Sequence, residues 1–530
     1  MHRLILLFFS CFWLQSFSQN YVWAKGEGGI GNDAAYSVTS DEAGNTYVTG
    51  NLAGVADFSG ITAQGNGVYE IVIAKYSPTG NLIWVKTAGG KGNDVGYAIQ
   101  YQNGYLYLGG KFEDTAYFEN TTLISRGDGD AFVAKYDNNG NLIWVRGGGG
   151  QRLDYVSGLT LDDNGGIYVS GTYQSSAIFD GSPISTTNIF GESFIAAYNN
   201  NGALQWVKSS AGTAFNLLKG IAYDNNGGLF ITGYFGSNFK IDSTTISSNT
   251  PSYDIVLGKL TTNGDVVWLT HAGSIAEDAG QAVCADKDGN AFITGYFTRT
   301  AYFDADSIKY LDYNDVFIAK YNASGQYQWV VPGYGTQLDI GYAITADNEG
   351  NIYTGGMFEN AINFSGHTVS GIDRDVFIVS YTNNGNFRWL DKASGVLTSA
   401  ALGIHVKQNN NIAICGYYLH DLIFGSIPID YSTYNDLFAA EYHQPLVSGV
   451  NKEEENNLIS VYPNPVADVC NLKLNTGSTA QITVTDVNGK LISSTTFNGS
   501  YQLNTTAFAK GVYLLQVDVA GEKQVLKLVK

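Results

Sequence analysis

Beyond its first twenty residues the chain carries tryptophan at Trp23, Trp84, Trp144, Trp206, Trp268, Trp329 and Trp389, at intervals of 60 to 62 residues. Nothing else in the sequence constrains the fold as strongly, because a fixed period of this kind marks one supersecondary unit copied along the chain. Other positions keep step. Ten residues after each tryptophan stand Asp33, Asp94, Asp154, Asn216, Asp278, Asp339 and Ser399. A glycine follows (Gly50, Gly110, Gly171, Gly233, Gly295, Gly356, Gly416), and then a phenylalanine (Phe58, Phe118, Phe179, Phe239, Phe303, Phe364, Phe424). Seven copies fill residues 19–443.

Each copy contains four short apolar runs; in the second they are VGYAIQY, YLYLGGKF, DAFVAKY and NLIWVR. Their alternation and their β-branched or aromatic content predict strands. Gly 64 and Tyr 36 against Pro 8 and Met 2 fit many tight turns between aromatic-rich strands. Polar turns such as Asp41–Asn45 join the first strand to the second, and turns such as Asp137–Asn141 join the third to the fourth. One four-stranded sheet cannot cover both of its own faces, and radial stacking of seven sheets does. The expected fold class is all-β, a seven-bladed β-propeller with four-stranded blades.

The strand count adds a closing rule. The first three strands recur seven times, whereas the fourth follows its third strand six times and stands once alone at the start, around Trp23. After Tyr442 the chain continues as HQPLV, with no turn glycine and no tryptophan. The N-terminal strand is therefore expected to close the last blade, so that no blade keeps an unpaired edge.

The recurring pattern of Trp, loop Asp, strand glycine and the AKY-type third strand resembles the bacterial SBBP-type propeller repeats over roughly four fifths of the chain. That resemblance implies a fold and a secreted setting, and no particular reaction. The fourth and seventh copies depart from it through Asn216 and Ser399, and Ala197, Ser380 and Glu441 replace the third-strand lysine.

The N-terminus, MHRLILLFFSCFWLQSFSQ, has a short basic start, an apolar run from Leu4 to Leu14 and small residues at Ser16 and Ser18. This describes a secretory signal peptide over residues 1–18, cut between Ser18 and Gln19. No later segment has the roughly 20 consecutive apolar residues of a membrane span, so no transmembrane segment is expected after signal removal. Cys284, Cys415 and Cys470 remain, an odd and sparse set that makes no disulfide framework. The net charge of −19 argues against nucleic acid as a partner.

Residues 444–456, polar and acidic, read as a linker. From residue 457 to 530 the long period stops and short alternating strands with Asn-Gly and Ala-Gly turns suit a small Ig-like β-sandwich. This segment resembles the type A C-terminal sorting domain of the type IX secretion system. Tyr462 with Pro463, Asn464 and Pro465, the Asp486–Lys490 turn with Gly489, the stretch Lys510, Gly511, Val512, Tyr513, and the basic end carry the likeness. It implies the type IX machinery as a partner, Sec export, and passage across the outer membrane to the cell surface or beyond.

Chemistry is less legible. The Asp137–Asn141 turn has the look of a calcium loop, yet its aspartate becomes Ser77, Asn199, Thr261, Asn322 and Thr382 in the sister turns while the glycine stays. A left-handed turn residue demands that; a metal does not. Two acidic series do recur: Asp33, Asp94, Asp154, Asp278 and Asp339 in the loop after the fourth strand, and Glu70, Asp130, Glu192, Asp254, Asp315, Asp375 and Asp436 opening the third strand. Antiparallel order puts both on one face. Their structural reading is that each carboxylate accepts backbone N–H groups and holds a loop. Their functional reading is an acidic mouth for a cation such as calcium, or for a hydroxyl-rich ligand. Recurrence in every copy favours the first. The five later histidines, His271, His367, His405, His420 and His443, are scattered and suggest no triad. The sequence therefore points to a secreted binding or interaction module for an extracellular ligand, glycan or protein, with no cofactor expected. The alternative is an extracellular enzyme acting on polysaccharide or peptide through the acidic face.

Overall fold

The second copy shows how these residues make sheet. Val95–Gln102, Tyr105–Phe112, Asp130–Asp137 and Leu142–Gly150 pair antiparallel in chain order. Its second strand is buried at every position but the first, because neighbouring sheets cover both faces, so it reads as a continuous apolar run. In the computed structural model, residues 21–65, 67–248, 252–304, 306–309, 313–444, 459–462, 468–474, 479–486, 490–519 and 522–530 are described. Residues 1–20, with the expected cut between Ser18 and Gln19, nearly all of the expected linker 444–456, and Pro463, Asn464, Pro465 and Gly489 lie outside the described residues.

The chain divides into two compact units, Met1–Pro445 and Leu446–Lys530. In the first, seven four-stranded antiparallel groups follow one another. The first strand of each group lies beside the first strand of the next, and that of the seventh beside that of the first. The seventh group takes its fourth strand from the N-terminus: Tyr21–Gly29 pairs antiparallel with Ile427–Tyr442, with Trp23 opposite Glu441. Tyr21 and Trp23 are 2% and 5% exposed. Burying two such side chains is worth about 2–3 kcal/mol each. Trp23 sits in one cluster with Val38, Tyr76, Ala413 and Cys415, which joins the two ends of this unit.

Six of the seven fourth-strand tryptophans pack on the turn glycine of the next group. A Cβ on Gly80 would stand 2.6 Å from Trp23, and one on Gly202 2.7 Å from Trp144. These glycines also hold φ of 78° and 77°, so contact and backbone both exclude a side chain. The indole N–H groups of Trp144, Trp206, Trp268 and Trp329 donate to carbonyls of that next turn, on Asn200, Thr262, Ala323 and Asn383, at 3.0–3.2 Å. The seventh group has no such turn, and Trp389 stacks instead on Tyr442 at 4.9 Å.

Two further short strands follow the second strand in the first and third groups. Val55–Phe58 with Ile61–Gln64, and Ser176–Phe179 with Ser182–Ser185, form hairpins. Each such hairpin pairs with the fourth strand of the preceding group, as Gly28 with Asp57 and Gly148 with Phe179. The hairpin phenylalanine anchors it to its own third strand, Phe179 on Phe194 at 4.6 Å and Phe118 on Phe132 at 5.1 Å. The hairpin covers an exposed edge and ties neighbouring groups together. Four-residue strands are too short for an alternation pattern to announce them.

In the second unit a three-stranded sheet (Ile459–Tyr462, Val469–Leu474, Ser500–Asn504) and a four-stranded sheet (Leu491–Asn498, Thr479–Asp486, Val512–Val519, Glu522–Val529) contribute to one core of Ile459, Leu472, Ile482, Val484, Leu515 and Leu528. Lys510 is exposed; Gly511 exchanges two backbone hydrogen bonds with Lys530, and the Tyr513 hydroxyl donates to the Ala509 carbonyl at 2.8 Å.

Candidate functional site

Pairing between the first and second strands skips one residue at the same place in all seven groups. An extra residue in a ladder bends the strand and re-aims one side chain. Here the extra residues are Tyr36, Tyr97, Ser157, Lys219, Gln281, Tyr342 and Leu402, and all seven line a single cavity of about 680 Å³ walled by the seven first strands. That volume is the size of a small-ligand site. The scaffold repeats around this cavity while the side chains entering it differ.

Tyrosines from several groups line the wall. Tyr36 meets Tyr97 edge-on at 5.2 Å, and Tyr97 meets Tyr155 at 5.7 Å. The basic groups that line the cavity are Lys111, Lys219 and His405, and no Asp or Glu lines it, although the chain carries a net charge of −19. Lys111 is held by Glu113 at 2.9 Å. His405 shares a hydrogen bond with Ser40 at 3.0 Å; burial, then the charge of Lys407, push it down to about 4, so the ring is neutral at physiological pH. Among the described residues Lys219 has no hydrogen-bond or ion-pair partner, and burial lowers its affinity for the proton. Sequence reading passed over this set because a period-two pattern treats a bulged residue as ordinary strand. The available signal was a position that varies inside an otherwise constant repeat.

The two acidic series lie elsewhere. Asp33, Asp94, Asp154, Asp278 and Asp339 are fully buried. Asp94 accepts N–H groups from Gly90 at 2.7 Å and Glu113 at 2.9 Å, and Asp154 from Gly150 and Gln174 at 2.6 and 3.1 Å. Asp33 does the same with Gly29 and Ala53, and Asp278 with Ser274 and Thr298. Each thus ties the end of the preceding fourth strand to the end of its own second strand. The other series closes the third strand against the fourth: Glu192 accepts from Gly212, Asp315 from Gly335 and Asp375 from Gly395, at 2.8–2.9 Å. Asp130 accepts the Arg126 N–H at 3.2 Å, and Asp254 lies 3.3 Å from His271.

The two series meet at the seams. Asp33 stands beside Asp436, Asp94 beside Glu70, Asp154 beside Asp130, Asp278 beside Asp254 and Asp339 beside Asp315. Burial is the main cause that raises the loop aspartates, opposed by their N–H donors and reinforced by the facing acid: Asp94 to about 6, Asp33, Asp154 and Asp278 to about 7, Asp339 to about 8. In the fourth group the aspartate is Asn216, whose amide donates to Glu192 at 2.9 Å. An amide there does what a protonated carboxyl does. Glu70 and Asp254 also line outer clefts of about 650 and 550 Å³, and Asp33 a cavity of about 360 Å³ that shares Tyr36, Tyr97 and Leu402 with the axial one. Among the described residues no three His, Cys, Asp or Glu side chains converge as a metal site. In the Asp137 turn the carboxylate is occupied by Asn139 and Asn141, at 2.8–2.9 Å.

Residues 460–530 match the family described as the secretion system C-terminal sorting domain. The C-terminal segment is a secretion sorting domain. The sorting domain directs the protein through the type IX system to the cell surface or the extracellular space. Among the described residues no helix is long and apolar enough to cross a membrane.

The chain has further, more distant likenesses. It is similar to an uncharacterised WD repeat-containing protein of Acanthamoeba polyphaga mimivirus, 22% identical over 56% of this chain and 27% of that protein. It is also similar to the regulatory protein FlaEY of Caulobacter vibrioides, 25% identical over 41% of this chain and 24% of that protein. The chain spans about a quarter of the length of these relatives. Among solved structures, the extracellular domain assigned to a hybrid two-component system of Bacteroides thetaiotaomicron aligns at 10% identity over 93% of this chain and 78% of that one, with a TM-score of 0.19. A family 32 glycoside hydrolase of Bifidobacterium adolescentis aligns at 9% identity over 96% and 95%, with a TM-score of 0.23.

Proposed function

We propose that the protein is a secreted seven-bladed β-propeller of the SBBP type, released from a signal peptide after Ser18 and joined through the 444–456 linker to an Ig-like sorting domain, and that it acts as an extracellular binding module. The seven four-stranded groups are its blades, and Tyr21–Gly29 closes the last of them. Its ligand site is the axial cavity. One observation carries this reading: the bulged position that enters the cavity holds four different chemistries, aromatic, hydroxyl or amide, cationic and aliphatic, while the latches around it repeat. Sites appear where a rigid scaffold lets side chains vary. The acidic series serve the scaffold, since burial and backbone donors occupy them.

The test is a glycan and peptide array probed with the secreted chain and with a Gln281→Trp variant, whose indole intrudes into the cavity and obstructs it. Hits that disappear in the variant support the reading. Hits that survive it, or an array without hits, overturn it.

A further inference from the structure

Within that cavity one group is unlike the rest. Lys219 is the single bulged residue with a charge, on the fourth blade, and among the described residues nothing neutralises it. Lys219 is half-buried; an ammonium group partly shielded from water without a counter-charge is disfavoured, and an anion entering the cavity offsets that cost. The other basic groups do not compete for such an anion, because Lys111 is paired with Glu113 and His405 is neutral and bonded to Ser40. With no carboxylate on the wall, the cavity is a locally cationic space inside an acidic protein.

The surroundings define what the anion is attached to. On one side of Lys219 runs the arc Tyr155, Tyr97, Tyr36, whose ring faces and edges suit the C–H face of a pyranose. Ser157 and Gln281, on the blades that flank Lys219, bring a hydroxyl and an amide toward a ligand rich in hydroxyl groups. About 680 Å³ holds one or two sugar rings with their water.

Resting on the axial cavity as the binding site, we propose that the protein binds an acidic sugar, a pyranose bearing a carboxylate, with Lys219 pairing the carboxylate and the Tyr36–Tyr97–Tyr155 arc packing on the ring. The chemical class is uronate. A neutral hexose offers the same ring without the charge, and an acidic peptide offers the charge without the ring.

Calorimetric titration of the secreted chain with glucuronate, glucose and an N-acetylated Asp-Glu dipeptide separates these. Glucuronate should bind at least about tenfold more tightly than either of the others, and more weakly as salt is raised. Lys219→Met should lose at least about tenfold for glucuronate while leaving glucose unchanged, and Lys219→Arg should retain most of the affinity. Lys219 holds no other residue, so the unfolding midpoint of each variant should match the parent's. Equal affinity for glucuronate and glucose, unchanged glucuronate binding in Lys219→Met, tighter binding of the dipeptide, or no heat with any probe would each overturn the uronate assignment. Loss of array hits in Gln281→Trp alongside any of these results leaves the cavity reading standing and removes only the assignment of its ligand.

Discussion

Asp339 should make the ring's stability depend on pH, and Asp339→Asn should remove that dependence at one seam. In the first, second, third and fifth groups the loop aspartate receives a second N–H from the preceding fourth strand, as Asp94 does from Gly90 at 2.7 Å. At Asp339 the corresponding donor, Gly335, has turned to Asp315 at 2.9 Å. Asp339 keeps only the Glu359 N–H at 3.0 Å, and its other oxygen is buried without a partner among the described residues. Burial, with Asp315 and Glu359 facing it, raises its pKa to about 8; Arg374, 3.4 Å from Glu359, is the nearby cation.

The folded state therefore holds a proton that the unfolded chain has released. The stabilisation is fully present below the ordinary carboxyl range and is lost as pH rises toward 8. Each unit in that window is worth about 1.4 kcal/mol, so between pH 5 and pH 8 this group alone costs about 4 kcal/mol. Asparagine keeps the acceptor for Glu359, can donate to Asp315 as Asn216 donates to Glu192, and carries no charge at any pH. Equilibrium unfolding of parent and variant should give stabilities within about 1 kcal/mol at pH 5, and a variant more stable by about 4 kcal/mol at pH 8. The same difference at both pH values would refute the shared-proton reasoning.

Three further outcomes follow from the same contacts. Glu441 is buried and accepts from the Trp23 indole at 3.0 Å, Lys407 at 2.5 Å and Asn411 at 2.6 Å, so Glu441→Ala strands a buried lysine and should lower stability by about 3–5 kcal/mol in denaturant titration. Gly202→Ala must place its methyl 2.7 Å from the Trp144 ring at φ of 77°, and should cost more than the roughly 1 kcal/mol of an unobstructed left-handed turn, read as a lower thermal midpoint. Because backbone donors and facing acids occupy the seam carboxylates, millimolar calcium or a chelator should leave the thermal midpoint unchanged.

Much of the scaffold was legible because it is made of repeated positions. The tryptophan period, the turn glycines and the missing turn after Tyr442 each record a contact that every copy needs, so seven copies reinforce one reading. The hairpins around Phe58 and Phe179 were not legible, since strands of four residues leave no period to detect. Both acidic series stood out in the sequence for the opposite of a functional reason: they recur because every seam needs a latch. The cavity residues were hidden by the same logic. Tyr36, Ser157, Lys219 and Gln281 share a position and no chemistry, and only the bulge in the pairing shows that they face one space. The exchange of Asp for Asn216 was visible as a departure, but its meaning needed the hydrogen bond to Glu192.

The most direct test of binding in the axial cavity is hydroxyl-radical footprinting of the secreted chain, with and without the tightest ligand from the array. Protection concentrated on Tyr36, Tyr97, Tyr155 and Tyr342, with the outer clefts around Tyr117 and Tyr302 unchanged, is the expected result. Protection of Tyr117 or Tyr302 with the axial tyrosines unchanged would place the ligand on the acidic loop face and contradict it.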